Sequence, residues 1–198
     1  MSSTARSRCR IAVTGGPGGG KTTAADLFRR ELGEQVVIVP ESATILFGGG
    51  FPRATQLDAL RSTQTAIFHV QRSLEDVQAA LFPERILLCD RGTIDGAAYW
   101  PDGTDEYFQA MNTSLDAELN RYDAVVFFET AAVAGLSIEG GNPVRRESLE
   151  QARHLDAQLK LLWSRHRTFL FVPHDQSFFR KLTVALTLLR DITAELRA

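Results

Sequence analysis

The chain has 198 residues, of which 44% are hydrophobic and 23% are charged, and its formal net charge is −2. This length and composition predict a single globular domain over residues 1–198, and the slightly acidic balance argues against a nucleic-acid or anionic-membrane surface. No apolar run approaches the roughly 20 residues that would span a bilayer. We therefore expect a cytoplasmic protein, in which Cys9 and Cys89 are free thiols.

Apolar runs and stretches with helical spacing alternate along the chain. The apolar runs predict strands at residues 8–14, 36–39, 85–90, 124–129 and 168–172. Helical spacing predicts helices at residues 21–32, 55–81, 106–119, 148–163 and 178–196. A glycine-rich apolar segment at residues 45–52 is predicted to be a mobile loop. The alternation predicts an α/β sandwich around a five-stranded parallel sheet.

The most informative motif lies between the first strand and the first helix. It consists of Gly15, Gly16, Pro17, Gly18, Gly19, Gly20, Lys21, Thr22 and Thr23. These residues fit G-x-x-x-x-G-K-[ST] in a strand-to-helix turn, the setting in which the pattern binds a nucleoside triphosphate. The glycines and the helix N-terminus direct backbone N–H groups toward a polyphosphate. We expect the motif to bind ATP or GTP, with Lys21 on the β- and γ-phosphates and Thr22 on Mg²⁺.

Polar residues follow the predicted second and third strands, at the sheet edge where ligands bind in open parallel sheets. Asp90 is expected to hold Mg²⁺ directly or through water, with a helix cap as the alternative. Glu41 is a candidate base that accepts a proton from a substrate hydroxyl, and a role in binding or capping is equally open. Arg91 is expected to bind phosphate.

Two glutamines and two arginines complete the candidate set. Gln64 and Gln71 lie on one line of the long helix and are expected to form a substrate pocket with Glu41 and Arg91. Arg145 and Arg146 follow a glycine-rich stretch and are expected to neutralise charge on the transferred phosphoryl group. A solvent-exposed arginine pair is the alternative.

Together these motifs resemble the small P-loop kinases that act on nucleosides, nucleotides and ribosylnicotinamide. The chain is most similar to the AAA-type ATP-binding domain family that includes the ribosylnicotinamide kinase domain and the TRP-channel translocation-defect protein. The matching positions are residues 14–23, 39–43, 89–92 and 142–145, with Gln64, Gln71, Leu74 and Glu75. The resemblance implies strand order 2-3-1-4-5 and a small arginine-bearing lid at about residues 130–150. It also implies that Glu41 is the base and that Arg91 binds phosphates.

The predicted function is a Mg²⁺-dependent, kinase-like phosphotransferase that uses a nucleoside triphosphate and a small nucleoside-like or phosphorylated acceptor. One alternative is a regulatory protein whose partner binding depends on ATP or GTP, suggested by Phe47 and Phe51 around a glycine run. Another is a stand-alone NTPase without an acceptor. No nucleic-acid partner is expected, and the sequence does not predict the acceptor or the oligomeric state.

Overall fold

A parallel sheet forms the centre of the protein. The structure, a computed structural model, describes residues 9–135 and 148–197. Its strands are β1 (Arg10–Thr14), β2 (Val36–Val39), β3 (Ile86–Asp90), β4 (Ala124–Phe128) and β5 (Phe169–Val172). All neighbouring strands are parallel, in the order β2-β3-β1-β4-β5, which confirms the predicted α/β class and strand order.

Helices cover both faces of this sheet. They are α1 (Lys21–Leu32), α2 (Ser42–Gly48), α3 (Leu57–Leu81), α4 (Thr104–Ala110), α5 (Leu115–Leu119), α6 (Leu149–Trp163) and α7 (Phe178–Arg197). Helices α1 and α7 pack on one face, and α3 and α6 pack on the other. Within residues 9–135 and 148–197, none of the helices combines the length and apolar character needed to cross a membrane.

Successive side chains of each strand pack into different cores. Ile11 and Val13 belong to the core that contains Phe28 of α1, whereas Ala12 belongs to the core that contains Phe68 of α3. Burial on both faces explains why the strands are continuous apolar runs in the sequence. The parallel arrangement also brings the carboxyl ends of the strands to one edge, where the candidate acids lie.

The prediction of a loop at residues 45–52 is wrong in its first part, because Ser42–Gly48 forms helix α2. Residues 42–47 contain neither glycine nor proline, and the glycine run begins only at the last residue of the helix. The Ser42 hydroxyl donates to the carbonyl oxygen of Ile67 on α3 (3.1 Å), which ties α2 to the long helix. The glycines therefore end a helix that the sequence analysis did not predict.

The predicted helix at residues 106–119 is divided into α4 and α5. Asn112 separates them with a φ angle of 52°, a left-handed conformation that asparagine tolerates better than most residues. The Ser114 hydroxyl then accepts a hydrogen bond from the backbone N–H of Ala117 (3.2 Å) and caps α5. Helical spacing alone did not indicate this break.

Candidate functional site

The glycine-rich loop between β1 and α1 is closely packed against the end of β4. Gly15 has a φ angle of 131°, and a Cβ atom there would overlap the carbonyl oxygen of Phe128. Gly20, with a φ angle of 87°, is the N-cap of α1. Glycine adopts these backbone conformations at little cost, whereas other residues are strained in them. The loop therefore depends on glycine at both ends.

We expect Gly15→Ala to lower the free energy of unfolding by about 2 kcal/mol or more, because the methyl group meets backbone that cannot move away. Gly48→Ala is the matched control, since Gly48 ends a helix and a Cβ atom there meets nothing within 4 Å. That change should alter stability by about 1 kcal/mol at most. Urea unfolding of both variants measures the difference, and equal stabilities would contradict the packing described for Gly15.

The N-terminus of α1 is suited to an anion. No side chain caps it, and its first turn contains no acidic residue. The first N–H groups of a helix have no acceptor within the helix, so they are directed toward a ligand. The Lys21 side chain is buried, and its ammonium group donates to the carbonyl oxygens of Gly15 and Gly16 (2.7 Å each). The ammonium group of Lys21 and the N–H groups of α1 together fit the phosphates of a nucleotide.

Thr22 and Asp90 form the candidate metal site. The Thr22 hydroxyl lies 3.3 Å from Oδ2 of Asp90, which is the last residue of β3. Burial raises the pKa of the Asp90 carboxyl, and the neighbouring Glu41 carboxylate raises it further. A hydroxyl and a carboxylate fit Mg²⁺, which usually completes its coordination with water and phosphate oxygens. In the described part of the chain, no group of three or more His, Cys, Asp or Glu side chains forms a separate metal centre.

Glu41 and Arg91 form an ion pair between the ends of β2 and β3. Nε of Arg91 donates to Oε1 of Glu41 (2.7 Å), and the Thr44 hydroxyl donates to Oε2 (2.6 Å). Nη1 of Arg91 also lies 3.4 Å from the carbonyl oxygen of Gly15, the first residue of the phosphate loop. The guanidinium group thus joins the candidate base to the loop.

Arg91 has an unusual backbone conformation, and Gln71 is hydrogen-bonded to its carbonyl oxygen. The φ angle of 71° at Arg91 is in the left-handed region, where a non-glycine residue is strained unless its surroundings hold it. Gln71 donates to the carbonyl oxygen of Arg91 (3.3 Å) and accepts from the backbone N–H of Ser42 (3.3 Å). Its amide is therefore used within the protein, beneath the pocket.

Asp95 is a functional candidate that the sequence analysis missed. Its buried carboxylate accepts hydrogen bonds from Nη1 of Arg91 (2.7 Å), the Thr14 hydroxyl (2.7 Å), the Gly92 N–H (3.2 Å) and Nε1 of Trp163 (3.0 Å). These contacts fix the carboxylate, and the carboxylate in turn orients Arg91. The spacing of Arg91 and Asp95, four residues apart after a strand end, is the only signal for this role in the sequence.

A cavity of about 220 Å³ opens beside the ion pair. Polar wall residues include the predicted Glu41, Gln64 and Arg91, together with Asp95. The predicted Gln71 is not in this wall and lines a smaller space of about 20 Å³ below it. The other wall residues are mainly apolar or aromatic and include Ala43, Phe47, Ala54, Leu60, Ile67 and Tyr99. Such a wall suits a small organic molecule with a few polar atoms.

Arg53 is a positively charged residue of the cavity wall that was not predicted from the sequence. Arg53 lies in the cavity wall with its guanidinium carbon 3.9 Å from the centre of the Phe47 ring. Both Phe47 and Phe51 are half-buried. Arg145, Arg146 and most of the predicted lid lie outside the described residues.

Two more unpredicted residues contact the phosphate loop from distant parts of the chain. Asp156 on α6 accepts from the backbone N–H of Gly16, which is 140 residues earlier in the sequence. Lys181 on α7 donates to the carbonyl oxygen of Gly19, 162 residues earlier. No local pattern distinguishes either residue from the other charged residues of its helix, so the tertiary structure was needed to identify them.

Comparisons with known proteins identify the family of the chain. A family model described as "AAA domain" matches residues 10–178, from β1 to the start of α7. A search among curated proteins found no match. The matched region contains the phosphate loop, the metal candidates and the cavity. The chain therefore belongs to the AAA domain family, with the fold of a P-loop NTPase, and is a P-loop nucleotide-binding protein.

Proposed function

We propose that this protein is a Mg²⁺-dependent phosphotransferase that moves the γ-phosphoryl group of ATP or GTP to a small nucleoside-like or phosphorylated acceptor. The observation that supports this most directly is the position of Glu41. Its carboxylate lies in the cavity wall and is also paired with Arg91, which reaches Gly15 of the phosphate loop. The candidate base therefore lies between the cavity proposed for the acceptor and the loop proposed for the donor nucleotide. Nucleotide binding alone does not require a carboxylate at this position.

The donor nucleotide binds at the N-terminus of α1 in this proposal. Lys21 and the loop N–H groups bind its phosphates, and Thr22 and Asp90 hold Mg²⁺. When bound, the metal supplies positive charge that offsets the charge on the transferring group. Arg145 and Arg146 remain candidates for closing the site over the nucleotide.

The acceptor hydroxyl, or a phosphate oxygen of the acceptor, attacks the γ-phosphorus from the cavity side. The new bond forms between that oxygen and phosphorus, the bond from phosphorus to the bridging oxygen breaks, and the nucleoside diphosphate leaves. If a hydroxyl attacks, Glu41 accepts its proton. A carboxylate oxygen can accept more than one hydrogen bond, so the contacts with Arg91 and Thr44 are compatible with this role. Asp95 keeps Arg91 in place beside the base.

The nucleotide-dependent regulatory protein has less support than the phosphotransferase. That alternative requires two aromatic side chains, Phe47 and Phe51, to be available for a partner. Both are half-buried, and Phe47 belongs to the cavity wall under Arg53. These positions favour a small molecule in the cavity over a partner docked on the two rings.

An acceptor screen tests the proposed function. Purified protein with Mg²⁺ and either ATP or GTP is incubated with nucleosides, nucleoside monophosphates and ribosylated cofactors, and diphosphate release and product mass are measured. Neutral and phosphorylated acceptors are both needed, since Arg53 offers a cation to an anionic group. At least one acceptor should raise diphosphate release about tenfold or more above the rate with water alone. If none does, phosphotransfer to these acceptors is excluded, and diphosphate release with water alone would then indicate a stand-alone NTPase.

A further inference from the structure

A buried lysine on α7 is hydrogen-bonded to the phosphate loop. Nζ of Lys181 donates to the carbonyl oxygen of Gly19 in the loop (2.9 Å) and to that of Glu129 after β4 (2.6 Å). Only 4% of the lysine is exposed. Hydrogen bonds from a charged group are stronger than those between neutral groups. A buried ammonium group that donates to two carbonyl oxygens therefore holds the two oxygens at a fixed distance from each other. Lys181 thus fixes the second half of the loop relative to the sheet.

A buried carboxylate holds the first half of the loop in a similar way. Oδ1 of Asp156 accepts from the backbone N–H groups of Gly16 (2.8 Å) and Thr130 (3.0 Å), and Asp156 is 3% exposed. The Thr130 hydroxyl in turn donates to the carbonyl oxygen of Pro17. A Cβ atom on Gly16 would lie 2.5 Å from the Asp156 carboxylate, so the loop and the acid are in direct contact.

We propose that Lys181 and Asp156, which we call the loop clamp, are positioning residues that hold the phosphate loop in the shape that binds the nucleotide. A glycine-rich loop loses much conformational entropy when a ligand orders it. Contacts that order it beforehand therefore increase affinity without touching the ligand. Lys181 also places a positive charge beside a site that takes a polyanion. The proposal requires nucleotide binding but not phosphotransfer, so it stands or falls separately from the proposed function.

The surroundings of Lys181 make its contribution depend on pH. Burial lowers the pKa of Lys181 from 10.5 to about 8, while Asp156 on α6 and Glu129 after β4 act in the opposite direction. The Glu129 carboxylate itself faces Lys160 on α6 (4.0 Å) and accepts from the backbone N–H of His174 (2.9 Å). The free protein therefore loses this positive charge as the pH rises through about 8.

Nucleotide affinity and fold stability should respond to this titration in opposite directions. Bound phosphates favour the charged form of Lys181, so binding near pH 8 takes up protons and affinity falls above that pH. Between about 8 and 10.5 the unfolded chain binds more protons at this lysine than the folded protein. The contribution of Lys181 to fold stability therefore rises with pH in the window where nucleotide affinity falls. A lysine that only stabilised the fold would change the stability with pH but would not lower the nucleotide affinity.

Titration calorimetry of the full chain with Mg²⁺–ATP tests the lysine. Lys181→Met should weaken binding about 10- to 100-fold at pH 7, because the loop would then have to be ordered when the nucleotide binds. It should also abolish the extra proton uptake of the wild type at pH 8, measured in buffers of different ionisation enthalpy. Lys181→Arg keeps a permanent charge, so its affinity should not fall between pH 7 and pH 9 as that of the wild type does.

Lys160→Met is the matched control, because Lys160 also faces Glu129 but is half-exposed, with its ammonium group over the Phe171 ring of β5. Its affinity should stay within about twofold of the wild type. For the acid, Asp156→Ala should weaken binding about tenfold, and Asp156→Asn should restore it, because the amide oxygen still accepts from Gly16 and Thr130.

Two results would overturn the loop clamp. One is a Lys181→Met protein that binds Mg²⁺–ATP within about twofold of the wild type at pH 7. The other is a Lys181→Arg protein whose affinity still falls between pH 7 and pH 9 like that of the wild type, and this second measurement decides the matter if the methionine variant does not fold.

Discussion

Lys21→Ala is expected to lower the affinity for Mg²⁺–ATP by about 100-fold or more and to remove any measurable turnover. Lys21 is the cation of the phosphate loop, and its ammonium group lies 2.7 Å from the carbonyl oxygens of Gly15 and Gly16. A bound polyphosphate would lose its principal side-chain charge partner in the variant. The N–H groups of α1 remain, so weak binding of the nucleotide can persist.

The fold should survive this change. Two carbonyl oxygens lose a donor, at a cost of about 1 kcal/mol each, while the sheet and both cores are unaffected. Calorimetry gives the affinity and urea unfolding gives the stability. Arg29→Ala is a suitable control, since Arg29 is an exposed cation in the last turn of the same helix. Wild-type affinity in Lys21→Ala would contradict nucleotide binding at this loop.

Glu41→Gln is expected to reduce kcat for acceptor phosphorylation about 100- to 10,000-fold, the range typical for loss of a general base. The amide has nearly the shape of the carboxylate but cannot accept the hydroxyl proton. Affinity for Mg²⁺–ATP should change little, since the loop, Thr22 and Asp90 are intact. The expected signature is therefore a fall in kcat with a similar fall in kcat/KM.

Steady-state kinetics with an acceptor found in the screen measures this change. Thr44→Val is an informative companion, because it removes the 2.6 Å hydrogen bond to Glu41 and leaves the carboxylate in place. It should reduce kcat about tenfold at most. Glu84→Gln, on the exposed surface, controls for the loss of a negative charge. A raised KM at unchanged kcat in Glu41→Gln would assign Glu41 to binding and would leave the reaction without its proposed base.

The sequence predicted the sheet and the loop well because both depend on local signals. Apolar runs such as Val36–Val39 are buried on two faces of a parallel sheet, and few other structures tolerate them. The strand-end residues Glu41 and Arg91 meet because parallel strands end at one edge. Helix α2 was not predicted, because the run of glycines from Gly48 to Gly50 at its end is typical of a loop.

The contacts that hold the site could not be predicted in the same way. Gln64 and Gln71 share one helical face but lie two turns apart, about 10.5 Å, so only Gln64 reaches the cavity. Asp95, Asp156 and Lys181 are charged residues on helical or turn segments, where charge usually means exposure to solvent. Their burial results from contacts with residues far away in the sequence, which periodicity does not encode.

Helix α6 has a consequence for the distance between the two ligands. Asp156 on this helix is hydrogen-bonded to the phosphate loop, and Trp163, about two turns later, is hydrogen-bonded to Asp95 beside the cavity. The length of these two helical turns therefore helps to set the distance between the phosphate loop and the cavity. A residue inserted into or deleted from this stretch would change the distance between the bound nucleotide and the bound acceptor, even if each pocket kept its own shape.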